Sequence, residues 1–324
     1  MNLISTLTAK WDAAIKEFNG VAAMYQIKAV VAMFSGGHDS LLSSYLASHH
    51  PLFTAIVWAD TATGAGETRQ YIRETCARNG WQLERGTVHP MTYEAQILKY
   101  GFPSPVTHRQ MYTELKAKSM SKVMTGITTR KNIKRSQVAQ VTGLRAPESM
   151  RRKQFVKHYH EKRSKKTGAL EELLINPIWD WGKQERDAMI DHLGLARNAY
   201  ADKVGHSYEC MCFANAVKHE REYRALLSPK YEEIELKREQ IVKLSYEIQQ
   251  LKLETGMIDP EDRLFLSSIN LTQGWHLWHE IASHASEIND PFVFCSACDM
   301  KRAADGTGGV DPDMELAMHR AQSL

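Results

Sequence analysis

The stretch from Lys28 to Ser48 constrains this chain most. Lys28-Ala-Val-Val-Ala-Met-Phe34 is a short unbroken apolar run, Ser35-Gly-Gly-His-Asp-Ser40 reads as a turn, and Leu41–Ser48 reads as a helix. An apolar run without alternation is a strand buried on both faces, the kind a parallel sheet requires. At the turn, the two glycines let backbone N–H groups point inward with no Cβ in the way, and the serines add hydroxyl donors. The helix that follows aims its positive end at the same point. Such a nest suits pyrophosphate or sulfate. Ser35, Gly36, Gly37, His38, Asp39 and Ser40 are therefore the candidate anion site. Asp39 is read as organising the loop or a metal ion, and His38 as directed to solvent.

The next segments repeat the rhythm. Phe53–Trp58 is a second buried strand ending at Asp60, Glu67–Asn79 is a helix closed by Gly80, and Gln82–Val88 is a third strand. Strand and helix in alternation predict βαβ units, hence an α/β fold: a parallel sheet with flanking helices. Further on, helices are expected over Met91–Tyr100 and Arg109–Met120, with a loop at Gly101–Pro105 between them. Strands are expected over Val138–Leu144 and Leu173–Pro177, and a helix over Lys183–Leu193. Ahead of all this, Met1–Gln26 has Leu7, Trp11, Ile15 and Phe18 on one helical face. Val217–Leu227 and Glu232–Glu254 read as long charged helices, and the tail after Ala303 as loose. The expected organisation is an N-terminal helix (1–27), a nucleotide-binding domain (28–215) and a helical appendage (216–324).

No apolar run reaches the ~20 residues of a membrane span, and Met1–Gln26 lacks the pattern of a signal peptide. A cytoplasmic protein with no membrane partner is expected. The net charge is only +3, but between Arg130 and Lys166 basic residues are opposed locally by Glu148 and Glu161 alone. That stretch is suited to anions, either as a face for nucleic acid or as a solvated face that includes a nucleotide clamp.

Five cysteines are present. Cys76 stands alone in a helix and reads as a buried apolar filler. Cys210-Met-Cys212 and Cys295-Ser-Ala-Cys298 are two close pairs, and four thiolates suit a 4Fe–4S cluster or a structural zinc equally by count. Four unligated thiols are the remaining reading.

Ser-Gly-Gly-His-Asp-Ser resembles the SGGxDS motif of PP-loop enzymes, which bind ATP or a related adenylyl nucleotide. The resemblance extends in order along the chain to the phosphoadenosine phosphosulfate (PAPS) reductase-like family. Trp58-Ala-Asp-Thr-Ala-Thr-Gly64 with Glu67-Thr68 is similar to its DTG…ET segment, and Gly101-Phe-Pro103 with Lys116 to its mid-domain loop and helix. Thr142-Gly-Leu-Arg145-Ala-Pro-Glu148-Ser149-Met-Arg151 looks like its TGxRxxES..R element. Pro177-Ile-Trp-Asp-Trp181, Asn198-Ala-Tyr200 and Ser207-Tyr-Glu-Cys210 resemble the segments that follow. The resemblance implies that loop 35–40 holds the phosphate or sulfate end of the nucleotide, that Trp58, Asp60 and Thr61 border the adenosine, and that Gly143 and Arg145 also contact the ligand. It also implies that Arg145 and Arg151 clamp anionic oxygens and that Ser35 and Asp39 take part in catalysis. Family members often carry a 4Fe–4S cluster near the nucleotide, which favours the cluster over zinc at Cys210, Cys212, Cys295 and Cys298. Magnesium would accompany ATP.

The chain departs from the sulfonucleotide reductases in two places. Their catalytic cysteine lies near the C-terminus, where Met314–Leu324 contains none, and Met111-Tyr112 occupies the position of a cysteine pair before the mid-domain helix. Related proteins of DNA phosphorothioation systems resemble this chain in carrying cysteine clusters and lacking the reductase tail, and they imply cleavage of ATP to AMP and pyrophosphate. The expectation is thus an enzyme of sulfur transfer or sulfonucleotide chemistry, with an ATP pyrophosphatase acting on nucleic acid and a non-catalytic nucleotide-binding module as alternatives. A thiol or sulfur-donor protein is an expected partner.

Overall fold

The structure, a computed structural model, describes residues 3–90, 92–93, 96 and 108–210, together with 247, 251, 254 and 255. Most of the helix expected over 91–100, the loop at 101–105, nearly all of the appendage with its two long helices, the tail, Cys212, Cys295 and Cys298 lie outside the described residues.

The described strands form one sheet: β1 (Ala29–Met33), β2 (Phe53–Asp60), β3 (Leu83–Thr87), β4 (Val138–Val141), β5 (Tyr159–Arg163) and β6 (Leu170–Ile175). Their spatial order is β3-β2-β1-β4-β6-β5. All neighbours pair parallel except β5 with β6. Every residue of β1 and of β4 is buried, which accounts for their lack of polar alternation. The chain builds outward from β1 to β3, then crosses to the other side of β1 to place β4. That reversal puts a crevice outside the carboxyl ends of β1 and β4, where open α/β sheets receive ligands.

Helices cover both faces. On one lie α1 (Leu3–Met24), α2 (His38–Ser48), α3 (Gly66–Arg78) and, further along the chain, a helix over Lys183–His192. Leu7, Trp11 and Phe18 of α1 join Leu42, Ile56, Ile175, Trp181 and Ile190 in a single apolar cluster, with Ile15 packed at its margin. The face read from the sequence is the face that is buried, at about 1.5–3 kcal/mol for each fully buried large side chain. Cys76 sits in the same cluster, and burial pushes its thiol up to about 12.

On the other face a long helix, α4, comprises His108–Tyr112, a π turn at Thr113–Ala117 and Lys118–Lys131. Met120, Met124 and Ile127 pack on Val31, Val57 and Ala59. Helix α4 outruns the expected end at Met120 by three turns and stops where Asn132 turns left-handed at φ 51°. After β4 come α5 (Met150–Phe155), α6 (the helix Lys183–His192) and α7 (Ala199–Val204).

Two strand expectations are corrected. β4 ends at Val141, because Thr142 and Gly143 turn to meet the phosphate loop. The sequence reading also missed β5. Its Tyr-His-Glu-Lys-Arg is polar and half exposed because it pairs only with β6 at the sheet edge. Among the described residues no helix is long and apolar enough to cross a membrane.

Candidate functional site

The turn from β1 into α2 forms a cradle. Gly36 has φ +75°, and a Cβ there would lie 2.8 Å from Thr68 Cγ2, so both its conformation and its surroundings demand glycine. The Ser35 and Ser40 hydroxyls lie 3.1 Å apart, and Ser40 Oγ donates to the Gly37 carbonyl at 2.8 Å. No side chain caps the start of α2, so its first amides are left unclaimed by a cap. A Cβ on Gly37 would stand at ordinary contact distance from Ser35 Oγ and Ser207 Oγ, 3.6 and 3.7 Å away. Gly36 is thus the stricter glycine and Gly37 the one that keeps the cradle open.

The cradle is held from three directions. Asn198 caps α7 with its Oδ1, which accepts from Tyr200 N and Ala201 N. Its Nδ2 donates to Gly36 O at 2.9 Å and to Thr68 Oγ1 at 3.2 Å. From the β4 side, Gly143 comes so close that a Cβ would lie 2.5 Å from the Asp39 carbonyl carbon and 2.6 Å from Ser40 N. Gly143 therefore stands against the loop backbone, and backbone proximity explains the glycine. From α6, Arg186 donates to Asp39 Oδ1 at 2.7 Å.

Asp39 Oδ1 also accepts from Arg145 Nε at 2.6 Å. Arg145 Nη1 donates to Trp181 O at 2.9 Å. The side chains of Arg145 and Arg186 are 5% and 9% exposed against 21% for Asp39, so this charge cluster is largely desolvated. Burial alone would raise the Asp39 pKa, but Arg186 and Arg145 outweigh it and hold the carboxyl at about 2. His38 is corrected: it does not point to solvent. Its Nε2 lies 3.2 Å from Asp202 Oδ1 on α7, at ion-pair distance without hydrogen-bond alignment. Burial lowers its pKa, against the pull of Asp202.

The loop after β2 is the second wall. Asp60 is buried and spends its carboxylate within the protein, accepting from Arg85 Nε at 2.9 Å and from Ala62 N at 3.1 Å. Ala62, at φ 61°, is fixed further by Arg69 Nη2, which donates to Ala62 O and Gly64 O at 3.0 and 2.8 Å. Thr61 Oγ1 donates to Glu209 O at 3.0 Å. A Cβ on Gly64 would lie 2.2 Å from that same oxygen. Trp58 does not border the crevice. It is 1% exposed and lies in the core under α3, with the Arg73 and Arg85 guanidiniums 5.9 and 5.4 Å from its ring centroid.

Residues Ser207–Cys210 lie along this wall: Thr68 Oγ1 donates to Ser207 O, and Ala65 N to Tyr208 O at 2.9 Å. Cys210 is buried, its Sγ 3.8 Å from Thr63 Oγ1. The first of the four expected thiolate ligands therefore stands beside the loop after β2, and the other three lie outside the described residues. Among the described residues no group of three or more His, Cys, Asp or Glu is placed to hold a metal. Arg151 lies in α5, and its side chain lies outside the described set. Glu148 pairs with the neighbouring Arg152.

Much of the basic stretch is internally compensated. Arg130 pairs with Glu84, Arg135 with Glu172 at 3.0 Å, Lys162 with Glu172 at 3.9 Å, and Arg163 with Glu161 at 2.6 Å. Glu84, Glu172 and Asp39 lie outside the stretch, so a local charge count overstated its free positive charge.

Arg186, Asn198, Arg69 and Thr68 were missed as site residues. Asn198 carried a signal, an Asn directly before a short helix; Arg186 carried none.

A parallel sheet reversing at β1/β4, with a glycine-rich cradle at the reversal, defines a PP-loop α/β protein. The phosphoadenosine phosphosulfate reductase domain model matches residues 29–216, and the chain belongs to that family, PP-loop proteins named for an enzyme. No curated protein matches the chain. Solved structures similar to it include the PAPS reductase of Candida auris in its phosphate complex, at 17% identity over 53% of this chain and 76% of that one, TM-score 0.38. The NH3-dependent NAD synthetase of Campylobacter jejuni is 15% identical over 80% of this chain and 98% of that one, TM-score 0.40. The U34-tRNA thiolase of Methanococcus maripaludis, with its 4Fe–4S cluster, is 13% identical over 92% and 86%, TM-score 0.39.

Proposed function

We propose that this protein is an adenylyl-nucleotide enzyme of sulfur chemistry, which holds the charged end of ATP or a sulfonucleotide in the loop Ser35–Ser40. The observation that carries the reading is the cradle: Gly36 at φ +75°, the paired hydroxyls of Ser35 and Ser40, and an α2 start that no side chain caps. Backbone amides fixed by such a turn need no rearrangement to stabilise charge that develops on a phosphate.

The cysteines favour phosphate cleavage over reduction. Reduction of a sulfonucleotide needs a thiolate to attack sulfur, and only thiolates are competent. The buried Cys76 thiol, pushed up to about 12, is excluded. Cys210, Cys212, Cys295 and Cys298 are paired and would hold the 4Fe–4S cluster, or zinc, that the family implies. Cleavage between the α and β phosphates asks for no protein nucleophile. An acceptor oxygen bonds to the α phosphorus and pyrophosphate leaves, with Ser35, the loop amides and Arg151 to neutralise it, while Arg145 acts at one remove through its pair with Asp39. Magnesium would enter with the nucleotide and offset the phosphate charge.

Incubating the purified protein with labelled ATP and with labelled PAPS, and assaying for AMP, pyrophosphate and sulfite, tests the reading. Pyrophosphate and AMP from ATP are expected. Sulfite from PAPS would show that one of the paired cysteines acts as a nucleophile. Tight binding without product would mean a non-catalytic module, and no binding of either nucleotide would refute the proposal. Stimulation of pyrophosphate release by nucleic acid, falling steeply with salt, would identify a nucleic-acid acceptor. Anaerobic absorbance in the near-visible region distinguishes an iron–sulfur cluster from zinc.

A further inference from the structure

We infer that Asp39 is a positioning residue rather than a catalytic group or a magnesium ligand, and that Arg186 shapes the phosphate cradle through it. The inference rests on the proposed nucleotide site but stands on contacts of its own. One carboxylate oxygen of Asp39 is shared by Arg145 Nε at 2.6 Å and Arg186 Nη1 at 2.7 Å. Each arginine is anchored elsewhere: Arg145 to Trp181 O at 2.9 Å, and Arg186 Nε to Asp187 Oδ1 at 2.8 Å. Asp39 therefore joins the first turn of α2 to the β4 loop and to α6.

A carboxylate closed between two guanidiniums has its charge compensated in place. With Oδ1 held by both arginines, a metal ion or a proton could reach only the other oxygen, beside two buried guanidiniums that oppose any further positive charge there. Its depressed pKa, about 2, agrees with a group that stays ionised and paired. Backbone packing acts in the same direction, since Gly143 abuts the Asp39 carbonyl and the Ser40 amide and fixes the main chain from which the carboxylate projects. Arg186 donates to Asp39 and Asp187, and it bonds to no group of Ser35–Gly37. Its contact with the loop that holds the phosphate runs through Asp39.

The test uses the full-length protein with Asp39→Asn, Arg186→Met, the double variant, and Arg186→Lys as a conservative control. Three quantities are read: exchange protection of the Gly36–Ser40 amides, the Kd of a fluorescent ATP analogue, and the magnesium concentration at half-maximal binding. Asp39→Asn and Arg186→Met should each weaken analogue binding by roughly 10- to 100-fold through misplaced donors. Loop protection should fall with them and the magnesium midpoint should stay put. The double variant should be no worse than either single change, and Arg186→Lys should lie between them and the parent.

An Asp39→Asn protein with normal loop protection and a raised magnesium midpoint, alongside a silent Arg186→Met, would make Asp39 a metal ligand and overturn the inference. If the parent protein binds no nucleotide, the reading of the site fails, and amide exchange still decides the role of Asp39. Protection lost in Arg186→Met and partly restored in Arg186→Lys sustains it; unchanged protection in both overturns it.

Discussion

The phosphate loop and the β5–β6 edge both gather charge, but they hold it differently. At the loop, Asp39, Arg145 and Arg186 are withdrawn from water and share one carboxylate oxygen. At the edge, Arg163, Lys162, Glu161 and Glu172 pair across and along exposed strands. Desolvated ion pairs are costly to break one partner at a time, whereas exposed pairs contribute little and are screened by salt. Substitutions at the loop should therefore cost both stability and ligand affinity, and those at the edge should cost little of either.

The sharpest way to break that contrast is Gly143→Ala. Its Cβ would meet the Asp39 and Ser40 backbone at 2.5–2.6 Å, and backbone cannot step aside as a side-chain tip can. A loss of about 3 kcal/mol in urea unfolding is expected, together with loss of nucleotide binding by titration. An unchanged protein would mean that the β4 loop does not press on the cradle.

Acid should expose the loop's charge cluster next. The Asp39 carboxyl is depressed from 3.8 to about 2. Its contribution is therefore complete above the unfolded value and disappears as pH falls through the folded one. That amounts to about 2 kcal/mol. Urea unfolding of the parent and of Asp39→Asn, at about pH 6 and again below pH 3, should show the difference between them shrinking in acid. A constant difference would deny that ionised Asp39 is the stabilising form.

Gly36→Ala should follow, at about 1–2 kcal/mol for a left-handed non-glycine residue, raised by the approach of Thr68 Cγ2 to 2.8 Å. The readouts are thermal unfolding and analogue affinity, and an affinity that holds steady would argue against the cradle. The smallest effect belongs to the outlying surface pair: Arg130→Ala, which breaks the exposed pair with Glu84, should change stability by less than about 1 kcal/mol and leave nucleotide affinity alone.

The legible and illegible parts of the molecule divide along the same line. β1 could be read because full burial leaves an uninterrupted apolar record, and β2 and β4 because burial leaves them mostly apolar. β5 could not, because an edge strand in contact with water carries Glu, Lys and Arg like any loop. The cradle was legible as Ser35–Ser40 because its glycines and serines are adjacent in sequence. Two of its supports were not: Arg186 is 147 residues from Asp39 and Asn198 is 162 from Gly36, and neither an Arg on a helix nor an Asn at a helix start carries a mark of a distant partner. Trp58 was misplaced because a strand buried on both faces gives no hint of which residues reach its open end. The basic stretch misled for a related reason, since its compensating carboxylates arrive from other strands.

The distances in sequence that hid those supports also govern when the site can exist. The loop is synthesised early, but Gly143, Arg186 and Asn198 emerge from the ribosome much later. A nascent chain carrying the complete Ser35–Ser40 motif thus has the letters of the cradle without its shape, and the capacity to grip an anion should arise only once translation has passed α7.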